Sequence, residues 1–133
     1  MTRLRTAQAI GAGFFGAVLA VNGAVAQMSL PAAKAAAGAA LVKQQCAVCH
    51  TTNLGDPMRQ GPPLVRIVGK PAGKIDGFHY SAGFSKADFV WDDARLDAWL
   101  ANPQAIIPGA VMAYRQAKPE TRAAIIAYLK ELN

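Results

Sequence analysis

The sequence lacks two features that define some classes of small protein. It has no set of cysteines for several disulfide bonds and no cluster of basic residues for nucleic-acid binding. It contains only two cysteines, so a framework of several disulfides is excluded. The formal net charge is +6, yet no run of like charge and no stripe of Lys and Arg occurs, and we expect no nucleic-acid partner. The sequence also has no apolar run of about 20 residues, the length that crosses a bilayer. What remains is a mildly basic chain with the length of one domain.

The N-terminus has the pattern of a secretory signal peptide. Arg3 and Arg5 precede a short apolar run over residues 10–21, and residues 24–26 read AVA, the small-x-small cleavage pattern. Because the run is too short for a bilayer span, we favour cleavage over an uncleaved membrane anchor. We therefore predict a signal peptide over residues 1–26 and a single domain over 27–133. The mature protein is expected in the periplasm without stable membrane insertion.

The motif CAVCH at residues 46–50 contains both cysteines and one of the two histidines. A disulfide here would close a very small loop and constrain the unfolded chain little. A thiol redox centre requires a strand before the motif and a helix after the motif. Here the helical pattern lies before the motif. A structural zinc site needs four ligands, and His79 is a single distant candidate for the fourth. Covalent haem attachment is the remaining chemistry, and Cys-x-x-Cys-His is its direct sign.

Haem attachment accounts for every functional residue of the motif. Positions i and i+3 at the end of a helix lie on one face, so Cys46 and Cys49 can bond the two vinyl groups on one porphyrin edge. His50 then falls under the iron as the proximal ligand. Only this interpretation uses both cysteines, the histidine and the export signal, and we predict one covalently bound haem c.

Met112 is the candidate for the second axial ligand. Met28 stands at the mature N-terminus, and Met58 follows His50 too closely to reach the opposite haem face. Met112 follows a proline-braced apolar loop, in which Gly109 permits close backbone approach. The alternative is a methionine that only fills the core. A thioether opposite an imidazole raises the reduction potential, and so does burial of the haem in an apolar pocket.

Three segments have the apolar period of helices, and most of the chain between them lacks it. They run from about Ala33 to Ala47, Asp92 to Ala101 and Pro119 to Leu132. Gly38 would weaken the first helix by about 1 kcal/mol relative to alanine, which predicts a close crossing by another helix. We predict an all-α fold in which three main helices and long loops surround the haem.

The chain resembles the class I c-type cytochromes, in the branch of mitochondrial cytochrome c and its bacterial periplasmic relatives. The resemblance covers about residues 38–130. It rests on CAVCH, GPPL at 61–64, GFHYS at 77–81, WDDARLDAWLANP at 91–103, PGAVM at 108–112 and IAYLK at 126–130. Together, in the family's order and close to its spacing, these motifs imply the small cytochrome c fold, with Met112 as the distal ligand.

The resemblance also implies roles for residues around the haem. Pro62 would accept a hydrogen bond from the ring N–H of His50. Three other residues would donate to a buried haem propionate, namely Tyr80, Ser81 and Trp91. Lys70 stands where the family often has an arginine near that propionate. Trp99 replaces a common tyrosine near the methionine sulfur.

The sequence departs from the mitochondrial branch at positions around the exposed haem edge. Gln45, Gln104 and Val111 stand where several of the family's lysines would be. Ala110 replaces a threonine two residues before the ligand methionine, which removes a hydroxyl near a propionate. We expect these positions to distinguish this chain from that branch.

The function implied by both lines of reasoning is one-electron transfer. No nucleophile–base pair or carboxylate pair stands in a recognisable catalytic setting, so we expect a carrier and not an enzyme. The carrier would be a monomer that shuttles electrons between a donor dehydrogenase or reductase complex and a terminal acceptor. Two alternatives stay open: a gas- or peroxide-reactive haem protein with a labile Met112, and the haem subunit of a larger exported oxidoreductase.

Overall fold

The computed structural model describes residues 29–132, so the predicted signal peptide lies outside the described residues. Within that range the all-α fold is confirmed, and no strand is formed. None of the described helices is long and apolar enough to cross a membrane. The α-helices are α1 Leu30–Leu41, α2 Asp93–Ala101, α3 Pro103–Ile106 and α4 Pro119–Leu129, and a 3₁₀ helix spans Ala82–Lys86.

Helix α1 begins three residues before the predicted start. Pro31 lies in its first turn, where the missing N–H has no partner to lose and the fixed φ suits a helix. Regular α geometry ends at Leu41, and the next turn, Val42–Cys46, widens to π-type hydrogen bonding. Apolar periodicity does not distinguish a widened turn from a regular one, which is why the prediction ran through it. Such bulges recur at functional sites, and this one leads directly into CAVCH.

Helices α1 and α4 cross at Gly38, which confirms the predicted close approach. A Cβ atom built on Gly38 would lie 2.0 Å from the carbonyl oxygen of Ala124 and 2.8 Å from Cβ of Tyr128. Both atoms belong to α4 near its backbone and cannot rotate away. The glycine is therefore required by interhelical distance, and the crossing brings the two ends of the described chain together.

We expect Gly38→Ala to lower the free energy of unfolding by about 3 kcal/mol, at the upper end of overpacking costs. Helix propensity alone predicts the opposite, a gain of about 1 kcal/mol. Urea unfolding of the haem-loaded protein measures the difference. Ala37→Gly, at an exposed position of the same helix, is the matched control and should cost about 1 kcal/mol. A Gly38→Ala protein more stable than its parent would contradict the crossing.

Helix α2 starts at the predicted acidic cap and is followed by a helix that the sequence pattern did not predict. The side chain of Asp92 accepts a hydrogen bond from the backbone N–H of Arg95 at 2.7 Å. Asn102 is extended and ends α2, as predicted. Pro103 then begins α3, where a loop was expected, because proline is tolerated in a first helical turn. This short helix leads the chain into the segment that carries Met112.

The core lies where α1, α2 and α4 meet the long central loop. Its largest fully buried side chains are those of Ile125, Val42 and Pro103. An ion pair between Arg122 of α4 and Asp97 of α2, with Nε 2.8 Å from Oδ1, fastens these two helices at the edge of the core. The buried apolar cluster comprises Val42, Ile67, Ala72, Trp91, Leu96, Trp99, Leu100, Ile107, Ala110, Ile125, Ile126 and Leu129.

Candidate functional site

CAVCH forms a tight turn that continues from the widened end of the first helix. The backbone N–H groups of Cys49 and His50 both donate to the carbonyl of Cys46, at 3.0 and 2.9 Å. Both cysteines are free and partly buried, so the described structure contains no disulfide between them. Burial raises the pKa of the Cys46 thiol to about 11, which keeps it protonated at neutral pH. The motif therefore presents two free thiols and an imidazole from one turn.

The loop after the motif folds back and packs against it. Arg59 donates to the carbonyl of Ala47 at 2.7 Å, and the N–H of Gly61 donates to the carbonyl of Cys49 at 2.8 Å. A Cβ atom on Gly61 would lie 2.4 to 2.8 Å from three ring atoms of His50. Position 61 must therefore be glycine for the imidazole to keep this orientation, a role that sequence reasoning did not assign.

The ring of His50 is oriented by Pro62. Nδ1 of His50 lies 2.7 Å from the carbonyl oxygen of Pro62. A carbonyl can only accept, so Nδ1 carries the hydrogen and Nε2 keeps its lone pair. Burial lowers the pKa of His50, and the hydrogen bond to Pro62 partly opposes that effect. The result is a neutral imidazole with a free donor atom, the form that binds iron.

Ser81 and Tyr80 directly precede the 3₁₀ helix Ala82–Lys86. The hydroxyl oxygen of Ser81 is buried and has no hydrogen-bond partner. Buried polar atoms are nearly always paired, so an orphan of this kind indicates a missing group. The neighbouring ring of Tyr80 packs against Phe84 at 4.7 Å, and burial raises the pKa of Tyr80. Ser81 is thus free to bind an acceptor, as a carboxylate would provide.

Lys70 and Trp91 meet through their backbones. The N–H of Trp91 donates to the carbonyl of Lys70 at 2.9 Å, while the Lys70 side chain is exposed. The ring of Trp91 is buried and packs edge-on against Trp99 at 5.3 Å between centroids. Trp99 in turn contacts Phe84 at 5.8 Å. The structure therefore joins the two tryptophans that the resemblance singled out in one aromatic cluster, and leaves the lysine ammonium at the surface.

Met112 lies in an irregular segment, residues 111–116, outside any helix or strand. Exposure alternates along it: Val111 is exposed and Met112 half-buried, and the alternation continues to position 116. Met112 packs against the apolar cluster, so its side chain faces inward. The thioether is therefore directed to the protein interior, whereas Met58 is 46% exposed.

Sequence reasoning missed the side chains that hold the Met112 segment. The amide of Gln104 accepts from the N–H of Gly109 at 3.0 Å and donates to the carbonyl of Ala110. The hydroxyl of Tyr114 donates to Oε1 of Gln45 at 2.5 Å. The only signal in the sequence was that glutamine stands at positions 45 and 104, where the mitochondrial branch would have lysines. Tyr114 lies 69 positions after Gln45, too far for any sequence period to show the contact. The partners of Gln104 are five and six residues away, in a loop without a period.

These residues fit a covalently attached haem. The described structure offers paired free thiols on one turn, an imidazole with Nε2 available, an inward thioether and an orphaned buried hydroxyl. Among the described residues no cluster of three or more His, Cys, Asp and Glu side chains is suited to a bare metal ion. The zinc alternative therefore gains no support from the geometry, and each donor present matches a different part of one haem group.

Comparisons with known proteins point to one family. The family model described as cytochrome c matches residues 35–133. Cytochrome c of Theileria annulata is 42% identical over 103 residues, which cover 77% of this chain and 89% of that protein. Cytochrome c of Nigella damascena is 37% identical over 102 residues, with coverages of 76% and 92%. The solved structure of cytochrome cH from Methylobacterium extorquens is 36% identical, with a TM-score of 0.66, and the match covers 73% of this chain and 97% of that one.

Proposed function

The chain belongs to the cytochrome c family of haem-based electron carriers, which carry one covalently bound haem c, and on that basis we propose that it is a periplasmic one-electron carrier. The haem supplies an iron that exchanges one electron between its ferric and ferrous states. We propose that Cys46 and Cys49 hold it by thioethers, and that His50 and Met112 occupy its two axial sites.

The orientation of His50 is the observation that best supports this assignment. The carbonyl of Pro62, 2.7 Å from Nδ1, fixes the tautomer and directs Nε2 away from that contact. A hydrogen bond of this kind raises the basicity of a histidine ligand and prevents ring rotation. Gly61 supports the same orientation by leaving the ring its space. The loop that follows the motif thus orients His50 as a proximal ligand.

The other residues suit a carrier more than an enzyme. His50 and Met112 are both neutral ligands, and covalent attachment through two cysteines would keep the haem in place in both oxidation states. Ser81 is free to donate to a propionate. The adjacent Tyr80 is linked to Trp91 through ring contacts with Phe84 and Trp99. We propose that the mature protein, released from a signal peptide over residues 1–26, works as a monomer between a donor dehydrogenase or reductase complex and a terminal acceptor.

The proposal is tested by optical and redox titration of the protein purified from the periplasm. We expect a pyridine haemochrome spectrum typical of haem c, and a reversible titration with a slope of one electron. The ferric protein should show the charge-transfer absorption of thioether-to-iron ligation. Carbon monoxide should not bind the reduced protein rapidly at neutral pH, because Met112 occupies the site.

Each alternative predicts a different result in the same preparation. Rapid binding of carbon monoxide would favour the gas- or peroxide-reactive protein with a labile Met112. Recovery in a stable complex, and not as a small free protein, would favour the haem subunit of a larger oxidoreductase. A protein without haem that reacts with two equivalents of alkylating agent would disprove the assignment and favour a thiol redox centre.

A further inference from the structure

One hydrogen bond joins the two segments that carry the proposed axial ligands. The hydroxyl of Tyr114 donates to Oε1 of Gln45 at 2.5 Å, and the two residues are 69 positions apart. Gln45 immediately precedes Cys46, in the widened turn that leads to His50. Tyr114 lies two residues after Met112. The bond therefore joins the turn that leads to His50 to the segment that carries Met112.

The bond also fixes which side of this segment faces the protein. Met112, Tyr114 and Gln116 are the half-buried members of its alternating pattern, so they lie on the inner side. A rotation of the segment that turned Met112 outward would carry Tyr114 outward with it and break the bond to Gln45. Holding Tyr114 at Gln45 therefore keeps the thioether of Met112 on the inner side.

The segment is also anchored beyond Tyr114. Nε2 of Gln116 lies 3.3 Å from the Tyr114 hydroxyl, and the backbone N–H of Gln116 donates to the carbonyl of Leu100 at 2.8 Å. Arg122 donates to the carbonyl of Gln116 at 3.1 Å. These contacts hold the C-terminal end of the segment to α2 and α4. The stretch from Val111 to Ala113 lies between these anchors and the Gln104 amide, with Met112 at its centre.

We propose that Tyr114 and Gln45 form a clasp that positions Met112 and slows its loss from the iron. The inference rests on the proposed function, in which Met112 is the distal ligand. When the hydrogen bond between Tyr114 and Gln45 breaks, the segment loses its first contact beyond Met112. The thioether can then move away from the iron. Tyr114 and Gln45 are not themselves proposed iron ligands, so both act as positioning residues.

Breaking the clasp should accelerate replacement of Met112 by added imidazole about fivefold. That factor corresponds to one hydrogen bond of ordinary net strength. A larger factor is not expected, since Gln45 is exposed and water can replace the tyrosine hydroxyl as its partner. The rate is read in the holoprotein as loss of the thioether-to-iron charge-transfer absorption in the ferric state.

The variants Tyr114→Phe and Gln45→Leu each remove one partner, and the double variant tests whether they act through the same bond. We expect the fivefold increase in Gln45→Leu and at least as large an increase in Tyr114→Phe, which also loses the contact with Gln116. The double variant should exchange no faster than Tyr114→Phe, because the second change has nothing left to break. Gln45→Glu keeps an acceptor oxygen and should exchange at the parent rate. Gln44→Leu is the matched control, an exposed neighbour in the same turn, and should also match the parent.

Several outcomes would overturn the clasp. Parent-like exchange in both Tyr114→Phe and Gln45→Leu would do so, as would fully multiplicative effects in the double variant. Equal acceleration by Gln44→Leu would show a general loosening of the turn. If Tyr114→Phe is too unstable to purify, the exposed Gln45→Leu and its Gln45→Glu rescue decide the matter. A parent that lacks the thioether absorption overturns the proposed function and the clasp together, whereas an intact absorption with unchanged exchange rates overturns the clasp alone.

Discussion

Replacing Met112 with alanine is expected to lower the reduction potential by on the order of a few hundred millivolts. Axial ligands move haem potentials over a range of about 0.8 V, and a thioether opposite histidine raises the potential by favouring ferrous iron. Loss of the inward side chain also admits water to an apolar surrounding, which stabilises the extra charge of the ferric state. Both effects have the same sign. Redox titration of the purified holoprotein measures the shift.

Two further variants separate ligand chemistry from pocket opening. Met112→His keeps a sixth ligand, so it should lower the potential without allowing rapid carbon monoxide binding, whereas Met112→Ala should bind carbon monoxide. Met58→Ala is the matched control, because Met58 is 46% exposed on the loop after the motif, and its potential should equal the parent's. An unchanged potential and charge-transfer absorption in Met112→Ala would assign the distal ligand to another residue.

Replacing both Cys46 and Cys49 with alanine is expected to abolish covalent haem attachment. Intact-mass analysis of the parent should show the polypeptide plus one haem, with no thiol open to alkylation under denaturing conditions. The double variant should show the bare polypeptide, and acid–acetone should extract any haem that it retains. Each single variant should keep at most one thioether.

The double variant should also be much less stable than its parent. The haem is no longer held covalently, and Cys46, which packs on the apolar cluster, is itself truncated. Haem that is held without thioethers can dissociate. Its contribution to the free energy of unfolding then depends on the concentration of free haem. Val48→Ala, between the cysteines at a position 70% exposed, is the control and should keep both attachment and stability. Two alkylatable thiols in the mature parent would contradict the assignment.

The helices show how far periodicity predicts structure in this chain. The predicted second helix agrees with α2 to within one residue, because Asp92 is a strong cap and Asn102-Pro103 a strong stop. The first helix was extended too far as regular α-helix, since its widened turn has the same residue types as its regular part. Helix α3 was missed, because four residues after a proline carry no detectable period.

The sequence alone predicted which atoms would bind the cofactor, because the spacing of Cys46, Cys49 and His50 is a local property of one turn. It also determined where α2 and α4 begin, since caps and prolines act over a few residues. Only the tertiary structure decided that position 61 must be glycine and that Tyr114 meets Gln45. Those contacts join residues 11 and 69 positions apart, and they form only when packing has closed the loops between them. The local pattern of the chain thus predicts the ligands, and tertiary packing decides which side chains contact the segments that carry them.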